Sequence, residues 1–572
     1  MKGLRSMREK MKRIISRDMI IVIGIALLAS VPVFVMGIHN GHDLQFHLMR
    51  IEGLAAGIRQ GQFPVRLESI WNDQYGYATL FYGDLLLYIP ALLRLSGVTV
   101  IDAYDAYILL MNLMTAVASY LCFKAMVKNK DIALLMTAAY VTSAYRLMDI
   151  YVRAAVGEYS AMIFLPMIAY TMYHLYHQEE SSKLDYNGIL LLVFGMTGVL
   201  QTHILTTEMV VLVLALYVIL NFKVTKQIKT IESLALAVVG TVLLNLWFII
   251  PWLDYYLNVP VRISDAVGRL QQIQQDGAYI GQYFAVFQNV FGAANVDVTQ
   301  RLILSPGLML MLALIATFVL WVRGHASGIT KKLCIVSCVT LFAASDMFPW
   351  NWLAEHSRLG NMLAQVQFPW RWIAFACLFL TLLFGCAVLD LDKLLSSEAA
   401  HVGLCCMTAA LICAGAMAFV SDYCDGANLG YITDASQLDH SYEVNEYMRA
   451  GSSMDVAAHD VQGTNLEQLK LISHNGTSVK VYCETGSDAS GEVILPVFNY
   501  KGYVLRNSEG EICEIHDSGN KEVAFTVPAN YDGKYYLTFE FPWYWRLGDI
   551  VSLCSVVVLA LAGLRYKLKV KR

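Results

Sequence analysis

LFYGDLLLYIPALLRL, residues 80–95, is the stretch on which the reading of the fold turns. It is nearly as apolar as a membrane span, yet it carries Asp84, Pro90 and Arg94. Charged groups facing lipid are costly. Thirteen apolar runs can be counted along the 572 residues, besides one amphipathic segment. Thirteen crossings would put the two ends on opposite sides of a bilayer. Both ends are basic, with MKGLRSMREKMKRIISRD at 1–18 and RYKLKVKR at 565–572. Lys and Arg favour the cytoplasmic side, so both ends belong there and one run must not cross. Residues 80–95 make the poorest span, and keeping them on the outer surface leaves twelve.

The expected spans are 19–38, 103–123, 131–147, 158–177, 187–202, 204–222, 232–253, 303–322, 333–347, 371–390, 401–420 and 547–564. The loops then sort by charge. Lys124, Lys128, Lys130, Lys183, Lys223, Lys226, Lys229, Arg323, Lys331, Lys332 and Lys393 all fall on the inner side. The turn QTH at 201–203, between two nearly fused runs, is the weakest point of this topology. Composition agrees with a polytopic membrane protein: 57% hydrophobic, 15% charged, and a mean hydropathy of +0.49, values that exclude an ordinary soluble domain. The net charge of −4 gives nucleic acid no purchase. Most of the twelve Cys lie in apolar runs, where Cys acts as a small hydrophobe, so no disulfide framework is expected.

The organisation expected is a basic cytoplasmic N-terminus (1–18), a transmembrane domain (19–420) with surface helices in its first outer loop (41–98), an outer β-rich domain (421–546), and a final span with a basic tail (547–572). The outer domain shows alternating strands, SVKVYCE, GEVILPVFNY, KGYVLR, KEVAFTV and GKYYLTFEF, separated by Gly, Asn and Asp turns. At least five such signals over about 125 residues predict a small β-sandwich.

The polar-rich motifs all fall on the outer side. In GHDLQFHLMRIEGL (41–54), Asp43, His47 and Arg50 are spaced i, i+4, i+7 and share one helical face, opposite Leu44, Leu48, Ile51, Ala55 and Ile58. This predicts an amphipathic helix on the bilayer surface. The alternative is an ordinary interfacial helix with Asp43 as its dipole partner. A second constellation is Tyr145, Arg146, Asp149, Tyr151, Arg153 and Glu158; its plain reading is interfacial anchors and a weak surface pair. Two outer loops that each set a carboxylate beside an Arg form a more specific pattern. A carboxylate takes a proton from a hydroxyl, and Arg binds phosphate bidentately. His203 in QTH reads either as a capping histidine or as a ligand. In QFPWRW (367–372), Trp370 and Trp372 suit an aromatic belt, while Arg371 at a helix start opposes the helix dipole and would be explained by a phosphate. No metal or nucleotide motif is present.

These elements resemble the GT-C superfamily of integral-membrane glycosyltransferases. More narrowly, GHDLQFHLMRIEGLAAGIRQGQFPVR (41–66), YGYATLFYGDLLLYIPALLRLSGV (75–98), YVRAAVGEYSAMIFLPM (151–167) and FPWYWRLGDIVSLCSVVVLAL (541–561) resemble bacterial YfhO-like proteins, the set labelled 6-pyruvoyl-tetrahydropterin-synthase-related membrane proteins. The resemblance implies a multi-pass protein of the bacterial cytoplasmic membrane. It would transfer a sugar from a polyprenyl-phosphate donor to a cell-envelope acceptor on the outer face. It implies Asp43 as acceptor-activating base, a second acidic position at Asp149 or Glu158, and Arg153 and Arg371 as phosphate contacts. His47, Arg50 and His203 are supporting substrate contacts. Some GT-C enzymes carry an acidic doublet in the first loop, whereas Asp43 here follows His42; no cofactor is expected, and a divalent metal would lack a ligand motif. The competing functions are a flippase or transporter of lipid-linked saccharides, which would want ionisable groups inside the spans, and a non-catalytic envelope scaffold.

Overall fold

The computed structural model describes residues 17–35, 41–72, 74–179, 183–262, 273–286, 302–424, 438, 447–487 and 489–570. The chain is mostly helical, with two antiparallel sheets before the last helix. Among the described residues, five helices are long and apolar enough to cross a membrane: Val100–Val127, Ile228–Asn258, Pro369–Asp392, Glu398–Cys424 and Trp543–Leu561. The other expected spans are also helical but shorter, among them Tyr186–Leu200, Ile204–Leu220 and Leu308–Val322. Two runs divide. The expected span 131–147 becomes Lys130–Val141 and Ala144–Tyr151. The expected span 158–177 becomes Val156–Ala161 and Leu165–Tyr176, which places Glu158 on a short helix ahead of the apolar one. Residues 80–95 do not form a span: they hold a 3-10 turn at Thr79–Phe81 and a helix at Tyr88–Leu95 only 8 residues long. At 1.5 Å per residue such a helix reaches about 12 Å, under half of a hydrocarbon core of about 30 Å.

The chain divides into two compact units, each built from segments discontinuous in sequence. The first takes Met1–Leu44, Tyr104–Ala237 and Leu270–Thr433. Its centre is helix Trp372–Asp392, buried along nearly all its length and packed by Gly328–Ala344, Leu308–Val322 and Lys130–Val141. Some of its helices begin where a side chain supplies the missing acceptor. Asn129 takes the amides of Asp131 and Ile132, Asp185 that of Asn187, and Ser327 that of Thr330.

The second unit takes Gln45–Ala103, Val238–Arg269 and Asp434–Arg572. One sheet orders β1 (Gln462–Thr464), β4 (Gly491–Phe498), β8 (Glu522–Val527) and β7 (His516–Asp517). The other orders β2 (Gln468–Asn475), β3 (Ser478–Glu484), β9 (Asp532–Phe539), β5 (Tyr503–Arg506) and β6 (Ile512–Cys513). The strict alternation of β3 sends Val479, Val481 and Cys483 inward, where they join Val493, Leu495, Phe525 and Leu537 in one hydrophobic cluster. Leu67, Tyr75, Ala78 and Leu80 of the first loop belong to the same cluster.

Helix Leu44–Arg59 departs from expectation. The predicted wet face is absent, since His47 and Arg50 are 4% and 2% exposed. Within the second unit Arg50 pairs with Asp84, which also accepts from Thr79 Oγ1 at 2.6 Å. Its guanidinium stacks on Tyr82, 4.6 Å from the ring centroid, and lies 3.2 Å from His47 Nδ1. Periodicity sees a polar stripe; it cannot see the carboxylate, thirty-odd residues on, that takes the stripe into the interior.

Candidate functional site

Four of the polar motifs meet within the first unit: His42–Asp43, the 145–158 segment, QTH and QFPWRW. The centre is Glu158. It accepts a hydrogen bond from the Tyr145 hydroxyl and one from Arg153 Nη1 at 2.8 Å, and Arg371 Nε lies 3.4 Å from its Oε2. The same Arg153 nitrogen donates to Asp149 Oδ1 at 2.6 Å. Helix Ala144–Tyr151 and helix Val156–Ala161 therefore hold two carboxylates on either side of one guanidinium. The turn between them is tight: Arg153 N donates to Met148 O at 3.0 Å, Ala155 N to Asp149 O at 2.8 Å, and Ala154 sits in the left-handed region at φ 55°. Asp149, Glu158, Arg153 and Arg371 are 0%, 2%, 5% and 7% exposed, so this is a buried network rather than the surface pair of the plain reading.

The aromatic residues of QFPWRW hold the cations flat. Trp370 stacks on Arg153, with 4.4 Å from guanidinium carbon to ring centroid, and on Phe368 at 4.8 Å. Arg371 donates from Nη1 to Val366 O and Gln367 Oε1, both at 2.8 Å. Its place in the first turn of a helix is thus explained by Glu158 and two local acceptors, with no phosphate required. Gln367 reaches it from a left-handed backbone, φ 65°.

Two features of the network are unspent. Both hydrogen bonds of the Arg153 side chain use Nη1, so its Nε and Nη2 have no partner among the described residues. Asp149 Oδ2 is buried with no hydrogen-bond partner. Burial and the neighbouring Glu158 push the Asp149 carboxyl well above the usual range. Against the same burial, Arg153 and then Arg371 hold Glu158 ionised, at about 2.

Asp43 is placed by backbone. Its N–H donates to Arg153 O at 2.8 Å, and His42 N to Val152 O at 3.3 Å. Gly41 permits this approach, because a Cβ there would stand 2.8 Å from Val152 O. The Asp43 carboxylate is half-buried. It accepts no hydrogen bond among the described residues, and its charge acts on Arg153. QTH arrives through Gly157, where a Cβ would stand 2.7 Å from Thr202 O and 3.0 Å from His203 Cδ2. His203 caps helix Ile204–Leu220, accepting from Thr206 N. Burial and Arg371 hold its imidazole well below the usual range.

Asp43, Asp149, Arg153, Glu158, His203 and Arg371 therefore share one neighbourhood, while His47 and Arg50 belong to the second unit. Among the described residues no group of three metal-ligating side chains forms. Tyr145 and Arg146 stood in the second constellation and Trp370 in the aromatic belt, but the spacing did not give their partners: Tyr145 meets Glu158 and Trp370 meets Arg153. Arg146 is wholly buried on neutral acceptors, Asn112 Oδ1 at 2.8 Å, Thr115 Oγ1 at 2.9 Å and Val141 O at 3.1 Å.

No family profile matches the chain. It is similar to an uncharacterized protein of Lactococcus lactis subsp. cremoris (strain MG1363), 22% identical over 256 residues. The match covers 43% of this chain and 41% of the Lactococcus protein, less than half of either.

Proposed function

We propose that the protein is a membrane glycosyltransferase of GT-C type, moving a sugar from a polyprenyl-phosphate donor to a cell-envelope acceptor on the outer face of the bacterial cytoplasmic membrane. The reading includes twelve crossings, both ends in the cytoplasm and the β-rich domain outside. The observation that carries it is a pairing: the Asp43 carboxylate, without a hydrogen-bond partner among the described residues, is tied through its own amide to the carbonyl of Arg153, whose Nε and Nη2 likewise make no hydrogen bond among them.

The chemistry follows from those two groups. Asp43 takes the proton of an acceptor hydroxyl as its oxygen attacks the anomeric carbon. The bond from that carbon to the phosphate oxygen breaks, and the electron pair leaves with the polyprenyl phosphate. The added negative charge falls on the open edge of Arg153, with Arg371 beside it, in a site where burial strengthens the attraction. Asp149 and Glu158 are positioning residues in this scheme, because one oxygen of each accepts from Arg153 Nη1. Asp43→Asn in a strain whose envelope glycosylation can be scored tests it: transfer is lost at normal protein level, and unchanged glycosylation would refute the reading.

A further inference from the structure

We infer that His203 is a substrate-positioning residue whose Nε2–H, uncharged, is a third donor to the phosphate of a lipid phosphodiester, beside Arg153 and Arg371. The inference rests on the phosphate-binding reading above and adds a residue, an atom and a protonation state to it.

The tautomer follows from the cap. Thr206 N, a backbone amide that can only donate, points at His203 Nδ1 at 3.3 Å, and Thr206 Oγ1 lies 2.7 Å from the same atom. Nδ1 must therefore keep its lone pair, and a neutral ring then carries its hydrogen on Nε2. Protonating Nδ1 would turn the acceptor of the cap into a donor and undo the start of helix Ile204–Leu220. That Nε2–H has no partner among the described residues.

The placement follows from Gly157. The ring edge bearing Cδ2, the carbon bonded to Nε2, lies so close to Gly157 that a Cβ there would be 3.0 Å away. The next residue is Glu158, which binds Arg153 and sits against Arg371. Both arginines and Glu158 act electrostatically on His203. Three separate segments thus bring N–H donors together: Arg153 with Nε and Nη2 unused, Arg371 with Nη2 making no hydrogen bond among the described residues while its Nε faces Glu158, and His203 with Nε2. The first two carry the charge; the third adds a directed bond with no further cation.

The test uses the full chain in detergent or nanodiscs. The probe is geranylgeranyl methyl phosphate, a diester with no titration near neutrality, and geranylgeraniol is its uncharged counterpart. His203→Asn retains a good capping side chain but lacks a donor at the Nε2 position, whereas His203→Ala loses both. We expect the wild type to prefer the diester, with affinity flat from pH 5.5 to 8. We expect H203N to melt like the wild type and to bind the diester about tenfold more weakly, and H203A to lose thermal stability as well. Equal diester affinity in H203N and wild type would overturn the inference while leaving the phosphate reading standing. Affinity that falls through pH 6–7 as the ring deprotonates would overturn the neutral tautomer. A wild type with no preference for the diester over the alcohol would overturn both.

Discussion

At the residue scale, the site depends on a glycine and on carboxylates in contrasting surroundings. Gly41 exists where the backbone of 41–43 runs against Val152 and Arg153, so Gly41→Ala overpacks the contact. We expect it to cost about 1–3 kcal/mol, or to displace Asp43, and a melting curve read beside a transfer assay separates the two. Asp43→Asn keeps the amide that bonds Arg153 O and removes only the base. Transfer should fall by about two to four orders of magnitude, with no change in melting temperature. Glu68, in the second unit, illustrates the opposite kind of acid. It is fully buried, accepts from Trp71 Nε1, and burial, then Asp84, raise it well above the carboxylate range. A carboxyl raised on folding favours the protonated native state, so its stability is complete below the unfolded value near 4.5 and is lost as pH rises toward the folded one. Glu68→Gln keeps an acceptor for Trp71 without the charge. It should raise the melting temperature at pH 7–8 and leave it unchanged at pH 4.

At the element scale, the hinge between helices Ala144–Tyr151 and Val156–Ala161 sets Asp149 and Glu158 around Arg153. Removing the cation leaves two buried acids facing each other. Arg153→Met should destabilise the first unit by about 3–5 kcal/mol. The triple change Arg153→Met, Asp149→Leu, Glu158→Leu should recover much of that, because an apolar replacement of a buried ion cluster is often near neutral. Melting of the single and triple variants decides it, and a triple variant no more stable than the single one would count against the network account. The four motifs that meet here were all visible as polar islands between apolar runs. Their grouping was not, because QFPWRW and the 145–158 segment are far apart in sequence and nothing local ties Arg371 to Glu158. Tyr145 and Trp370 were named, but without the groups they meet, for the same reason: an aromatic residue at a span end looks like a belt until its partner is seen.

At the scale of the whole molecule, the proposed topology puts the sheets outside and both ends inside. Alkaline phosphatase fused after residue 500 should be active, and a fluorescent protein fused at the C-terminus should mature; the reverse pattern would invert the topology. The membrane class, the positions of the helical runs, the failure of residues 80–95 as a span and the strands from 478 onward could be read directly, since apolar run length and period-two alternation are local properties of a chain. Which polar groups neutralise one another could not. His47 and Arg50 shared a stripe with Asp43, yet burial gave Arg50 to Asp84 and left the Asp43 carboxylate without a hydrogen-bond partner among the described residues. An isolated charge is costly to bury, so Arg50 and Arg371 take the carboxylates the packing supplies, however distant in sequence, while Arg146 is met by neutral acceptors. The carboxylate still available for chemistry is the one that this pairing passed over.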